Sequence, residues 1–253
     1  MLPPGRHPVR IIATLTTVLL ITASASWLVP GPLSAQEMSQ DVIMLAMVHN
    51  TVGHRFGSDL EVGDWVEYQL DEGVHIKLEV IEQEQRGVWI SEDFSGMKLH
   101  LLVDLENMTL LEAARADAAG NRSPAPAVSE EQIARAWTMV QQMQGQSRAG
   151  SQITSWVQGE GSEDIEVAGT PLACSFLDPG FSEQHRQTLV STGLDVEQLQ
   201  RESRICFCED VPRLIPLQFI MGWIAYVDAI RDIPGGMVEC RPMHLKLVDF
   251  GRG

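Results

Sequence analysis

Residues 204–212 read RICFCEDVP, which sets Cys206 and Cys208 one residue apart; Cys174 and Cys240 complete the cysteines of the chain. Three chemistries could use such a set: metal ligation, redox exchange or structural disulfides. Cys206, Cys208, Cys240 and His244 would supply the four donors of a tetrahedral zinc site. No C-x-x-C or C-x-x-C-H spacing is present, which removes the thioredoxin-type and haem-attachment readings. On a strand, Cys206 and Cys208 share a face with Cα atoms about 6.6–6.8 Å apart. That is the outer limit for a disulfide, and the two side chains run parallel. Facing residues on neighbouring antiparallel strands come within about 4.5–5.5 Å. Each of the two cysteines therefore bonds outward more easily, to Cys174 and Cys240, in an order the sequence leaves open. Pro242 reads as a bulge that separates Cys240 from His244, which counts against zinc.

Other chemistry is sparse. The chain holds no G-x-S-x-G, H-E-x-x-H or G-x-G-x-x-G motif and no phosphate-binding loop of the Walker type. His49 and His54 are five apart, a poorer helical spacing for a shared metal than three or four. His75 and His100 fall on the polar parity of strand-like stretches. Acidic residues are so many that a carboxylate pair carries no information without spatial data. The expectation is a protein without catalytic residues, cofactor or metal.

The compartment decides between thiol and disulfide. Residues 1–35 begin MLPPGRHPVR, continue with the apolar IIATLTTVLLITASASWLV and end PGPLSA, the order of a secretory leader cut after Ala35. A cut after Ala25 is the second site, and an uncleaved anchor is the alternative, since the apolar run approaches the ~20 residues that span a bilayer. The expected localisation is periplasmic or secreted, with no integral membrane segment once the leader is removed. Disulfides persist there, which favours structural bonds at Cys174, Cys206, Cys208 and Cys240. The chain carries 34 acidic and 18 basic residues, a net charge of −16. The leader takes two arginines and no acid with it, so the mature chain is more negative still. Such a field repels nucleic acid and anionic membrane surfaces, and no nucleic-acid partner is expected.

Residues 36–253 suit a single domain. The stretch 38–56 reads as a helix, apolar almost all round from Val42 to Val48 and therefore buried. A period of two follows. Val66, Tyr68 and Leu70 share one face of 65–70; Val74, Ile76, Leu78 and Val80 alternate with His75, Lys77 and Glu79. Residues 87–91, 97–103 and 107–114 supply more strands, with turn signals at 71–73, 82–87 and 91–96, the pattern of an antiparallel meander. Residues 117–128 read as a loop. Ser129 and Gln132 then form a capping box, Val128 and Ile133 a hydrophobic staple, and Ile133, Ala136, Trp137, Val140 and Met143 one stripe of a helix that Gly145 stops. Strands at 151–158 and 165–177, a helical insertion at 182–200 broken near Gly193, and strands at 204–208 and 236–251 complete the order. Between the last two lies IPLQFIMGWIAYV (215–227), a core helix or an apolar docking element. The expected architecture is α+β: a curved antiparallel sheet, half-barrel-like, with helices inserted on one face.

The post-signal helix 38–56, the meander from VGDWVEYQL onward and the inserted helices together resemble the bacterial periplasmic lipoprotein carriers of the LolA/LolB type. That resemblance implies a curved sheet whose mouth is covered by helices, and a lipid or lipoprotein as partner. The four cysteines and the run 215–227 depart from the pattern, and no functional residue carries over. CEDVP and KLVDFG also look similar to segments of exported β-rich bacterial proteins. Two functions follow as expectations. In the first, Met44, Met47, Trp65, Trp89, Trp137 and Trp156 line the interior, Leu217, Phe219, Ile220, Trp223 and Ile224 line or lid it, and the site holds an acyl chain or lipoprotein. In the second, the protein is a structural or interaction module of the envelope that docks through 215–227.

N-terminal sequencing of the exported protein is expected to begin at Gln36. A chain retaining Met1 in the membrane fraction would establish the anchor instead.

Overall fold

A computed structural model describes residues 40–70, 73–94, 96–117, 119–125, 127–148, 153–217, 219, 227–231 and 233–253. The leader, and Ile220, Trp223 and Ile224 of the apolar run, lie outside the described residues. By its contacts, Glu37–Gly253 forms one compact unit.

The chain opens with α1 (Gln40–Arg55). A run of antiparallel strands follows: β1 (Trp65–Leu70), β2 (Val74–Glu84), β3 (Gly87–Phe94), β4 (Met97–Asp104), β5 (Thr109–Ala116) and β6 (Arg122–Pro124). After α2 (Glu130–Arg148) come β7 (Ile153–Gln158), β8 (Glu163–Val167), β9 (Thr170–Phe181), α3 (Glu183–Ser191) and α4 (Val196–Arg201). The chain finishes with β10 (Ile205–Cys208), a single turn α5 (Val227–Ile230), β11 (Gly236–Cys240), a 3-10 turn at Arg241–Met243 and β12 (Leu245–Gly251). The sheet runs β6-β5-β4-β3-β2-β1-β12-β11-β10-β9-β7 without closing, and β8 pairs with β9. The protein is α+β. Register shifts interrupt five of the pairings, β1–β12, β2–β3, β4–β5, β7–β9 and β10–β11. Each such bulge bends its strand and raises the local twist, so the sheet is curved.

Strand alternation gives the sheet an apolar face and a polar one. Val66, Tyr68, Ile76, Leu78, Val80, Val88, Ile90, Leu101 and Val103 occupy the first and are buried. Helix α1 packs over this face, touching β5, α2 and α5. The second face carries Trp65, Glu67, Lys77, Glu79, Ser91 and Asp93. The α2 capping box forms as the sequence requires: Ser129 N donates to Gln132 Oε1 at 3.0 Å, and Gln132 N to Ser129 Oγ at 3.3 Å.

Several boundaries differ from the sequence reading. SEDFSG is mostly strand rather than turn, because β3 continues to Phe94 and β4 begins at Met97. The 117–128 loop contains the short edge strand β6, which tolerates Pro124 because no further strand needs its missing N–H. Helix α2 passes Gly145 and ends at Arg148. Pro242 sits in the 3-10 turn between β11 and β12 rather than in a bulge, and His244 closes that turn at φ 52°. Strands β8 and β9 are joined by Ala168 and Gly169, at φ 48° and 82°. Positive φ at both positions is the two-residue hairpin geometry that matches strand twist.

Residues 211–217 form a buried strap against the end of α1. Ile215 N donates to Arg55 O at 2.9 Å, and Gly57 N to Arg213 O at 3.0 Å. The Arg55 side chain is fully buried; its Nε donates to Ile215 O at 2.9 Å and its Nη2 pairs with Glu92 Oε2. The other carboxylate oxygen of Glu92 accepts from Leu217 N at 2.7 Å. Tyr68 Oη lies 2.8 Å from Met237 O and 3.2 Å from Leu214 O, so its one proton serves the nearer carbonyl better. Burial pushes that phenol far up, against a smaller opposing pull from Arg213, and it stays a donor. Arg213 holds the strap's entry through the carbonyls of Ile230 at 2.7 Å and His54 at 3.1 Å.

Glu92→Gln leaves Arg55 charged and buried without a counter-ion, and the expected loss is about 3–5 kcal/mol. The double change Arg55→Met with Glu92→Leu is expected to recover most of that loss. Denaturant unfolding of the three proteins checks this, and a double variant as unstable as the single one would refute it.

Candidate functional site

Ten residues surround a groove of about 340 Å³ between α1, α2, β5 and the end of β6. Leu45 and His49 come from α1, Leu110, Leu111, Glu112 and Ala113 from β5, Pro124 and Ala125 from β6 and its exit, and Val128 and Ile133 from the start of α2. Eight of the ten are apolar. The local sequence builds the groove in three ways. Asp41, Leu45 and His49 recur every four residues and so share one face of α1; Asp41 at its upper end pairs with Arg115 of β5. In β5, Leu102 opposes Glu112 while Val103 opposes Leu110, so Leu111 is the unpaired residue of a bulge. It is 42% exposed. The capping box fixes where α2 begins, which sets the staple residues Val128 and Ile133 at the groove's edge.

The expected ligand-lining residues separate into distinct places. Met47 is buried in the main core and Met44 is half-buried against it, whereas Trp137 packs against Val42, Ala46 and Ala136, where α1 and α2 meet. Trp65 and Trp89 lie on the opposite face of the sheet. Trp65 sits beneath the Lys77 ammonium, 5.3 Å from the ring centroid, and Trp89 beneath the Arg122 guanidinium at 3.9 Å. The indole N–H of Trp89 also donates to Glu84 Oε1 at 2.6 Å. Both are covered by stacked cations, not by the interior. Trp156 is buried in β7, at the far edge of the sheet path. Leu217 and Phe219 are core residues at the end of the strap. The groove's own lining, above all Leu45, Leu111, Ala125 and Ile133, is not legible from residue types, because it is made by a bulge and a helix start.

The cysteines divide in a way the alternation explains. Cys174 and Cys208 are bonded, with Cα atoms 4.5 Å apart. The β9–β10 register pairs Ile205 with Leu177 and Phe207 with Ser175, so the next facing pair is Cys208 with Cys174. This is the cross-strand arrangement the spacing called for. Cys206 and Cys240 are thiols, which corrects the expectation of a second bond. Cys240 stands opposite Ile205, and Cys206 opposite Glu239, so the two thiols belong to opposite faces. Cys206 is covered because the first half of β9 carries β8 back over the sheet, where β8 touches β12. Arg204 and Arg241 clamp this hairpin: Arg204 binds Asp178 at 2.7 Å and Glu163 at 3.2 Å, while Arg241 binds Glu163 and reaches Glu239 at 2.9 Å.

Among the described residues, no group of three or more His, Cys, Asp or Glu side chains is placed to hold a metal ion, and no helix is long and apolar enough to cross a membrane. Set against known proteins, the chain matches no family model, no curated protein and no solved structure.

Burial pushes the Cys206 thiol up to about 12, against a smaller opposing pull from Arg241. Well below pH 9 the thiol is protonated whether the chain is folded or not. Between pH 9 and 12 the unfolded chain releases the proton and the folded one does not, so stability falls as pH rises, by at most about 1.4 kcal/mol per unit. Denaturant midpoints at pH 8 and pH 10.5 are expected to differ more for the unaltered protein than for Cys206→Ala. Equal differences would show that Cys206 ionises freely in the fold.

Proposed function

We propose that the protein is an exported binding protein, without catalytic activity, that holds an apolar ligand in the groove between α1, α2, β5 and β6. The ligand class is an acyl chain, free or as the lipid end of a lipoprotein. The observation that carries this reading is the groove's composition: eight apolar residues converge on about 340 Å³, with His49 and Glu112 as the polar exceptions. That volume is at the low end of small-ligand sites, and a mostly apolar lining with few polar groups is their usual character. The disulfide Cys174–Cys208 fits an oxidising compartment. A relation to the LolA/LolB-type carriers would put the ligand in the same place, between sheet and helices. Docking of an envelope partner through 215–227 has less support, because Ile215, Leu217 and Phe219 of that run are buried.

The test uses a dansylated fatty acid, with palmitate as competitor. The unaltered protein is expected to bind it saturably, and Ala125→Phe, which fills the groove from its half-buried wall, to bind at least tenfold more weakly. Trp65→Ala, on the other face of the sheet, is expected to bind normally. Absence of saturable binding, or equal binding by Ala125→Phe, would overturn the proposal.

A further inference from the structure

Acidic residues outnumber basic ones by 34 to 18 in this chain. In such a protein every cation has carboxylates to choose from, and a cation left without one is the exception. Among the described side chains, the lysines and arginines without an ion pair or hydrogen-bond partner are Arg186, Arg201 and Lys246. Two of them, Arg201 and Lys246, line the same cleft. It has a volume of about 1010 Å³ and is bounded by α4, β1, β11, β12 and the 3-10 turn, with Gln69, Glu202, Glu239, Arg241 and His244 among its other walls.

The geometry explains why Lys246 is unpaired. It lies on the polar face of β12, directly opposite Glu239 on one side and Gln69 on the other. Glu239 would be its natural partner, but that carboxylate is taken by Arg241 Nε at 2.9 Å. Arg241 is in turn fixed by Glu163 and by a bond from its Nη1 to the Arg201 carbonyl at 2.6 Å. This bond also ties the end of α4 to the turn, so the backbone of Arg201 is anchored while its guanidinium is not. Glu202, the remaining acid of the cleft, accepts from Gln198 Nε2 at 2.7 Å. His244 adds an exposed imidazole held on a left-handed backbone. The walls therefore carry three cations against two carboxylates, in a molecule whose net charge is −16. Arg201 and Lys246 therefore both face one cleft with no carboxylate paired to either, and an anion bound there is attracted by both charges.

We propose that this cleft binds a phosphate group carried on a larger molecule, with the Arg201 guanidinium and the Lys246 ammonium as its ligands and His244 as a further donor. A guanidinium offers the two parallel donors that phosphate oxygens accept, and the ammonium a point charge beside them. The cleft exceeds what inorganic phosphate alone would fill, so the group it takes is a phosphate ester, from a soluble molecule or from a lipid headgroup. This site is separate from the apolar groove and does not depend on that reading.

Calorimetric titration with inorganic phosphate and with glycerol phosphate, and co-sedimentation with phosphatidylcholine vesicles containing phosphatidylglycerol, test the site. At least one probe is expected to bind saturably and to lose tenfold or more in affinity in the double variant Arg201→Gln, Lys246→Gln. Both positions are exposed, so the fold survives the change. Arg186→Gln removes the other unpaired cation, outside the cleft, and is expected to bind as the unaltered protein does. Binding of glycerol phosphate assigns a soluble ester, and binding of the vesicles alone assigns a headgroup. No binding of any probe, binding that survives the double variant, or an equal loss in Arg186→Gln would overturn the proposal.

Discussion

The buried pair of Arg55 and Glu92 is the interaction on which the rest of the structure depends. Neither charge can be taken from water without its partner, and removing both for apolar groups of similar size is often neutral or favourable. Its value is therefore positional. Arg55 ends α1, Glu92 lies on the apolar face of β3, and between them they hold the backbone of the strap at Ile215 and Leu217. A helix, a strand and an irregular segment are registered by two side chains. The strap needs this, because a buried segment outside sheet or helix must have its N–H and C=O groups met individually. Arg213 and Tyr68 extend the same solution to the carbonyls around it.

Register governs the other half of the sheet. One disulfide forms at Cys174 and Cys208 because the β9–β10 alignment makes them a facing pair. Cys240 is excluded from such a bond by a single step of register. The hairpin of β8 and β9 then folds over the polar face, so that face is covered in a second place, and the covering is ionic where it meets the turn after β11. The arginines that clamp it are shared among several carboxylates. Arg241 binds both Glu163 and Glu239, and in doing so strips Lys246 of its cross-strand neighbour. An arrangement that stabilises the hairpin thereby sets the charge of the cleft beside it.

Much of this fold is written in local pattern. The meander, α1, the capping box of α2 and the break at Gly193 are read from periodicity and from the residues that start and stop elements. The site is less legible, for identifiable reasons. In SEDF, serine, glutamate and aspartate look like a turn, yet Val88, Ile90, Glu92 and Phe94 share one parity. An acid on the apolar parity of a strand must find a buried cation, and that conflict was the available signal for Glu92. Parity also places Trp65 opposite Val66 and Tyr68, so its outward position followed from the same alternation that identified the strand. Large aromatic area suggested an interior, but a stacked lysine or arginine covers it equally well. Cys240 could not be paired from sequence because the bulge at Cys206 and Phe207 depends on tertiary context.

The groove follows from how α1 is fixed. Its two ends are tied to the sheet by charge, Asp41 to Arg115 near the start and Arg55 to Glu92 at the finish. These residues are 14 positions apart, about 21 Å along the helix axis. The first pair is largely exposed and holds little, so the buried pair at Arg55 is the stronger tie. Beside α1, the bulge at Leu111 bends β5, and Pro124 ends the edge strand. Leu45 and His49 face the space that results, and Val128 and Ile133 close one side because the capping box starts α2 there. The opening is thus bounded by residues whose places are set by the capping box of α2, the bulge of β5 and the anchored end of α1.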